Sequence, residues 1–217
     1  MIAIDGACRG NGQADCLSVG AAYAVNTDKV FFKVEYRSTN QRGELYALLD
    51  GLTIGEASDD PLVYIVTDSE YILNTINKEW YKNWENKGWV TADNNPVKNR
   101  DLWEQIVVLI RRLEGNGKEL MIYHVKGHVL SLGKATARKI LETAGYPALH
   151  RAASLKYDEV RANPNKCAII DEAMKTFERI NGFAPPVDIF REMIICNTVA
   201  DVAAGYYIDF IKADYAG

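Results

Sequence analysis

The strongest constraint on the fold is a change of hydrophobic period near residue 40. In residues 30–36, VFFKVEY, Phe32, Val34 and Tyr36 alternate with Phe31, Lys33 and Glu35. That is the period of two of a half-buried strand. From 43 to 57 the apolar positions move to Leu45, Leu48, Leu49 and Leu52. This is the i, i+3, i+4, i+7 stripe of a helix that buries one face. Before the switch, residues 2–7 and 19–25 read as two more strands, separated by turn residues Gly10, Asn11 and Gly12. After it, LVYIVT at 62–67 is an unbroken apolar run, as in a central parallel strand covered on both faces. Helices are predicted over 69–77 and 100–113, and LMIYHVK at 120–126 is the last strand. Three antiparallel strands followed by helix-linked parallel strands make an α/β chain with a mixed five-stranded sheet flanked by helices.

Residues beyond about 130 change character. Helices are predicted over 133–144, 147–160, 166–181 and 186–195, with breaks at Gly145, Pro147, Pro164 and Pro185–Pro186. A final helix is predicted over 197–212. The expected organisation is one domain formed by 1–129 and 195–217, with 130–194 as a helical insertion, which suits a chain of 217 residues. No apolar run approaches the roughly 18–20 residues of a membrane helix, and the N-terminus lacks a basic-then-apolar leader. No membrane partner and a cytoplasmic location are therefore expected. Cys8, Cys16, Cys167 and Cys196 show no CxxC spacing and no nearby histidine pair, so no zinc site and reduced thiols are expected. A net charge of −4 excludes a protein that grips nucleic acid by overall charge. It leaves room for a local basic surface.

Four carboxylates occupy positions suited to chemistry. Asp5 ends the first strand in IAIDGACRGNG, and Glu44 opens the helix in STNQRGELYAL. Asp68 follows the apolar strand in YIVTDSEY, and Asp201 lies on the final helix in NTVADVAAG. A lone acid in such a context is more often a solvated or capping group. Four together would repel one another on burial and would need a cation to compensate. Two divalent ions on such a cluster can activate water and stabilise the leaving oxygen of a phosphodiester. His128, in HVKGH, has an imidazole suited to proton traffic near neutral pH. His124, on the preceding strand, reads as structural. Seventy-three positions separate His128 from Asp201.

The motifs TNQRGEL, TDSEY, VKGH and the 197–201 helix, with WYKNWENKGWVTADNNPVKNRDLW between them, occur in the order found in ribonuclease H type 1, which this chain resembles over roughly 1–129 and 195–212. The resemblance implies a ribonuclease H-like fold and hydrolysis of the RNA strand of RNA–DNA hybrids, leaving 5′-phosphate and 3′-hydroxyl ends. It implies two Mg²⁺ ions, with Mn²⁺ able to substitute, held by Asp5 as the bridging ligand and by Glu44, Asp68 and Asp201. His128 would assist product departure or protonate the leaving group. Gly6, Cys8, Asn11, Asn40 and Gln41 would contact the substrate, and Trp80, Trp84 and Lys87 would follow the DNA backbone. Glu85, Asn86 and the Asn94–Asn95 pair depart from the basic pattern of relatives, which implies a weaker grip there.

The insertion has no counterpart in that family. Residues 130–195 carry ten Lys/Arg against eight Asp/Glu, and 131–157 hold five basic residues against Glu142 alone. Lys134, Arg138 and Lys139 form a basic patch that would border the active site and restore phosphate contact. The plainer reading is an insertion packed against the fold with solvated charges, or a dock for a protein partner. Two rival functions are weaker. Proofreading exonucleases of this fold carry Asp-x-Glu on the first strand, whereas Asp5 is followed by Gly6 and Ala7. A binding module on an inactive nuclease fold would not need four intact carboxylates and His128.

Overall fold

The structure is a computed structural model that describes residues 1–10, 13, 16–27 and 29–215, with side chains to 211. Asn11 lies outside the described residues. Five strands, β1 (Ile2–Arg9), β2 (Leu17–Ala24), β3 (Lys29–Tyr36), β4 (Leu62–Thr67) and β5 (Glu119–His124), form one sheet in the order β3-β2-β1-β4-β5. β1 pairs antiparallel with β2, which pairs antiparallel with β3, while β1–β4 and β4–β5 are parallel. The mixed sheet is the one the period switch predicts.

Among the described residues seven α-helices accompany it: α1 (Asn40–Ala57), α2 (Glu70–Asn77), α3 (Trp80–Asn86), α4 (Arg100–Gly115), α5 (Lys134–Ala162), α6 (Ala168–Asn181) and α7 (Val187–Tyr215). Strand alternation sends Ile2 and Ile4 into one apolar core with Leu45, Leu48 and Leu52 of α1 and Trp103 of α4. The opposite face sends Ala3 and Val66 into a second core with Leu149 of α5, Phe177 of α6, and Phe190 and Val199 of α7. The insertion helices thus share a core with the sheet. The result is a three-layer α/β/α arrangement.

Several boundaries differ from expectation, each for a local reason. α1 starts three residues early because the Thr39 side chain accepts from the Arg42 N–H, capping the helix. Asn40 and Gln41 therefore form its first turn, and Glu44 sits one turn further in. β5 ends at His124, so alternation does not carry His124 and His128 onto one face: His124 is 6% exposed, whereas His128 is on a turn with φ +55°. The break at Gly145 is real, with φ 70° and ψ −169° inside α5. The expected break near 196 is not. Residues 193–200 are buried without interruption, which erases the stripe, and one continuous helix runs through. Residues Val187–Ile211 of that helix are long and apolar enough to cross a membrane by length and composition, contrary to the expectation from sequence. Its middle, residues 193–200, is buried without interruption, and the helix packs on β1, β2 and α5, which is how a core helix is placed.

None of the four cysteines forms a disulfide. A polar network joins the insertion to the sheet and α7: the Tyr23 hydroxyl bonds His150 Nδ1 at 3.1 Å, His150 Nε2 lies 3.4 Å from Glu192, and the Cys196 thiol donates to Glu192 at 3.5 Å. On the other side, Arg42 forks between Glu35 (2.6 Å) and Asp101 (2.8 Å), tying β3, α1 and α4 together. The guanidinium holds Glu35 down at about 2, with help from Ser38 and Tyr46. A carboxyl depressed in the fold contributes stability above its unfolded value, and that contribution is lost as pH falls towards 2. Arg42→Ala should thus cost on the order of 1 kcal/mol at pH 7 and less below pH 4. Thermal unfolding across pH 2–7 measures it, and a pH-independent cost would refute the pairing.

Candidate active site

The four carboxylates come from four different elements and meet at one end of the sheet. Asp5 is on the Ala3 face of β1, the side covered by α7. It is 8% exposed, and its carboxylate accepts from the Gly6 N–H at 2.7 Å. Burial pushes its pKa well above the usual carboxylate range, and repulsion from Asp68, Asp201 and Glu44 pushes further in that direction. Glu44, on α1, is held at both oxygens: Asn40 Nδ2 donates to Oε1 at 2.9 Å and Ser69 Oγ to Oε2 at 2.6 Å. Burial and Asp68 raise its pKa, opposed by these two hydrogen bonds. Asp68 follows β4 at the edge where open α/β sheets gather functional groups. Its pKa is also raised, by burial and then by Asp201, against the pull of His128 and His124.

Asp201 reaches this group from α7. The 73-residue gap in sequence closes to a 3.0 Å contact between His128 Nδ1 and Asp201 Oδ2. The His128 side chain is 79% exposed, so the other ring nitrogen is open to solvent or substrate. The turn that carries it passes close to Asp68: a methyl group at Gly127 would meet the Asp68 carboxylate and push it out of place. Gly6 is required, because a side chain there would run into the backbone of α1 at Glu44. Gly6 therefore sets the spacing between β1 and α1.

Sequence reasoning missed two supporting residues. Ser69, within TDSEY, caps α2 and also fixes Glu44; the signal was present, since a Ser after a strand and before an apolar run is a helix-cap pattern. Asn181, at the end of α6, pairs with the His124 backbone in both directions, at 2.9 and 2.8 Å, extending the β5 edge with an amide from the insertion. Nothing in the sequence separates it from an ordinary helix-terminal Asn. His124 itself is buried, with Nε2 3.0 Å from the Asp68 carbonyl oxygen and its pKa lowered mainly by burial. Its contact with the Asp68 backbone is structural.

The remaining predicted residues are scattered. Cys8 is half-buried further along β1, and Gln41 is exposed on the first turn of α1. Trp84 packs edge-to-face on Trp103 at 5.7 Å, while Trp80 is 37% exposed and Lys87 exposed. Glu85 is paired with Arg111 at 2.7 Å. Lys134 and Arg138 line a cleft that ends on His128 and Asp201, whereas Lys139, one position on, does not line it.

The donor set fits hard divalent cations: four carboxylates, no sulfur, and raised pKa values at Asp5, Glu44 and Asp68 that a bound cation would relieve. Among the described residues, the group whose ligand atoms all lie within 4.8 Å of one another is His150, Glu192 and Cys196, not these carboxylates. A looser carboxylate array suits Mg²⁺, which keeps waters and substrate oxygens in its shell.

The ribonuclease H family model matches residues 1–138. A ribonuclease H of Pseudomonas putida is 35% identical over 161 residues, covering 73% of this chain and 93% of that protein. One from Clostridium botulinum is 34% identical over 130 residues, covering 59% and 83%. One from Nitratidesulfovibrio vulgaris is 38% identical over 122 residues, covering 51% and 73%. The crystal structure of LC9-RNase H1, a type 1 RNase H with the type 2 active-site motif, superposes with a TM-score of 0.45 at 21% identity, over 77% of this chain and 83% of that one, too loosely to add to the argument. With the family model covering well over half of its length, the chain belongs to the ribonuclease H family.

Proposed function

We propose that the protein cleaves the RNA strand of RNA–DNA hybrids internally, leaving 5′-phosphate and 3′-hydroxyl ends. Asp5, Glu44, Asp68 and Asp201 would hold two Mg²⁺ ions, with Mn²⁺ as a substitute. When bound, such ions activate a water and neutralise the charge that develops on the leaving oxygen. The observation that carries this reading is the convergence of four carboxylates from β1, α1, β4 and α7 on one sheet end, with Asp5 buried among the other three. Asp5, the least exposed of the four, would be the ligand shared between the ions. Ser69 and Asn40 fix the direction of Glu44 before any ion arrives. His128, held through Nδ1 by Asp201, can carry a proton on Nε2 to the departing oxygen. Gly6 and Cys8 follow Asp5 along β1, and Asn40 and Gln41 form the first turn of α1, where Asn40 bonds Glu44. In the same reading they meet the ribose 2′-hydroxyl, the group that distinguishes RNA from DNA.

Labelled hybrid, single-stranded RNA, single-stranded DNA and both homoduplexes, incubated with and without Mg²⁺, test this directly. The expected product is a set of RNA fragments from the hybrid alone, only with metal, and ligatable at their 5′ ends. His128→Ala should cut about a hundredfold more slowly with the same substrate choice. Equal cutting of the DNA duplex, or cutting in chelator, would refute the reading.

A further inference from the structure

The insertion builds one wall of a cleft of about 590 Å³ that opens from the catalytic group. The first turns of α5 supply Lys134 and Arg138, and α7 supplies Tyr206 and Phe210 on the facing wall. His128 and Asp201 also line it, so the cleft is continuous with the carboxylate site. Its volume lies within the range of pockets that take a single small ligand.

The two walls differ in chemistry. The Tyr206 and Phe210 rings stack at 6.1 Å with 27° between planes, and Phe210 is 46% exposed, a large aromatic left open to solvent. On the opposite side Lys134 makes no ion pair among the described residues. Among the described residues Arg138 pairs with Glu142 at 2.8 Å, an exposed pair of the kind that exchanges readily. Asp209, the acid of the aromatic wall, pairs with Arg9 at 2.7 Å and lies close enough to Arg138 to draw on its charge. Cations thus face aromatic rings across a recess next to the site of phosphodiester cleavage.

A paired duplex does not suit this recess. Its outer surface is phosphate and sugar, and its bases offer no free face. An unpaired nucleotide does suit it, since a splayed base can stack on aromatic rings while its phosphate meets Lys or Arg. Building on the function proposed above, we infer that the α5–α7 cleft receives an unpaired nucleotide of the RNA strand next to the scissile phosphate. The base would lie against Tyr206 and Phe210, and the phosphate against Lys134 and Arg138. The insertion would then direct the enzyme to places where RNA leaves the hybrid as a single strand.

Anisotropy titrations in chelator, where no turnover occurs, can compare a blunt hybrid with one whose RNA runs on unpaired, across a KCl series. The parent should bind the overhanging hybrid about tenfold more tightly, given the usual strength of base–aromatic stacking. In the Lys134→Ala/Arg138→Ala double variant the preference should fall towards one. Its log–log salt slope for the overhang should be shallower by about 1.4, two single-strand phosphate contacts. Phe210→Ala should narrow the preference without changing the slope, and both substitutions fall on exposed side chains, so folding is not at risk. A parent that binds both hybrids alike, or a preference that survives both variants, would overturn the assignment. Cleavage of the blunt hybrid by the parent in Mg²⁺ keeps this separate from the nuclease reading: a failure there sinks that reading, while the titrations still decide the cleft.

Discussion

Asp68→Asn should lower Mg²⁺-dependent cleavage of a hybrid by at least about a thousandfold, the scale of losing a charge placed at a reacting phosphate. Asp5→Asn should do the same, and it adds a second readout. In metal-free protein Asp5 is a buried carboxylate facing three others, and its pKa is raised by burial and then by Asp68 and Asp201. A group whose pKa is raised in the folded state binds its proton more readily folded than unfolded. Its ionisation therefore costs stability increasingly as pH climbs above the unfolded value near 4. Asparagine keeps an oxygen to accept from the Gly6 N–H and removes the charge. In chelator at neutral pH, Asp5→Asn should be more stable than the parent by on the order of 2 kcal/mol, and the gain should vanish near pH 4. Mg²⁺ should raise the melting temperature of the parent and leave that of Asp5→Asn nearly unchanged, because linkage requires a site. A variant that melts lower than the parent in chelator would show that Asp5 is a structural acceptor and not a repelled ligand.

The same residues show how far sequence carries. Glu44 and Asp68 sit near a helix start and a strand end marked by period, cap and turn chemistry, whereas Asp5, expected to end the first strand, lies inside β1, which runs on to Arg9. Asp201 was legible only by resemblance, because the stretch leading to it, 193–200, is buried on every side and has no stripe to read. A helix buried all round and a broken helix look alike to periodicity. Where the insertion docks was not legible either. Its helices were marked by Gly145, Pro147 and Pro164, but docking depends on partners far away in sequence, such as Val66 and Ala3. The basic patch illustrates the limit: Lys134 and Arg138 are one turn apart and face the cleft together, while Lys139 next door is carried away from it by helical geometry. Composition saw three adjacent cations where the structure separates them.

The docking of the insertion leads to the second large effect. Phe177 of α6 has no exposed surface, and its ring packs against Tyr123 of β5, Phe183 and Phe190 at centroid distances of 6.1, 5.4 and 5.9 Å. One helical turn on, Asn181 brackets the β5 backbone at His124, which in turn holds the Asp68 carbonyl. Removing the ring leaves a cavity between insertion and sheet, so Phe177→Ala should cost about 3–5 kcal/mol. If 130–194 were an independent appendage, that loss would melt it alone, giving two transitions and a catalytic core with unchanged stability. The shared core instead predicts one cooperative transition, shifted downward by roughly 6–20 °C at this chain length. Calorimetry beside near-ultraviolet circular dichroism separates the cases, because Trp103 is buried in the opposite core, with α1 and the Ile2–Ile4 face of the sheet. A Trp103 signal that melts at the parent temperature in Phe177→Ala would make the insertion dispensable. Coincident melting would make it the second face of the catalytic fold, held against the strand that positions Asp68.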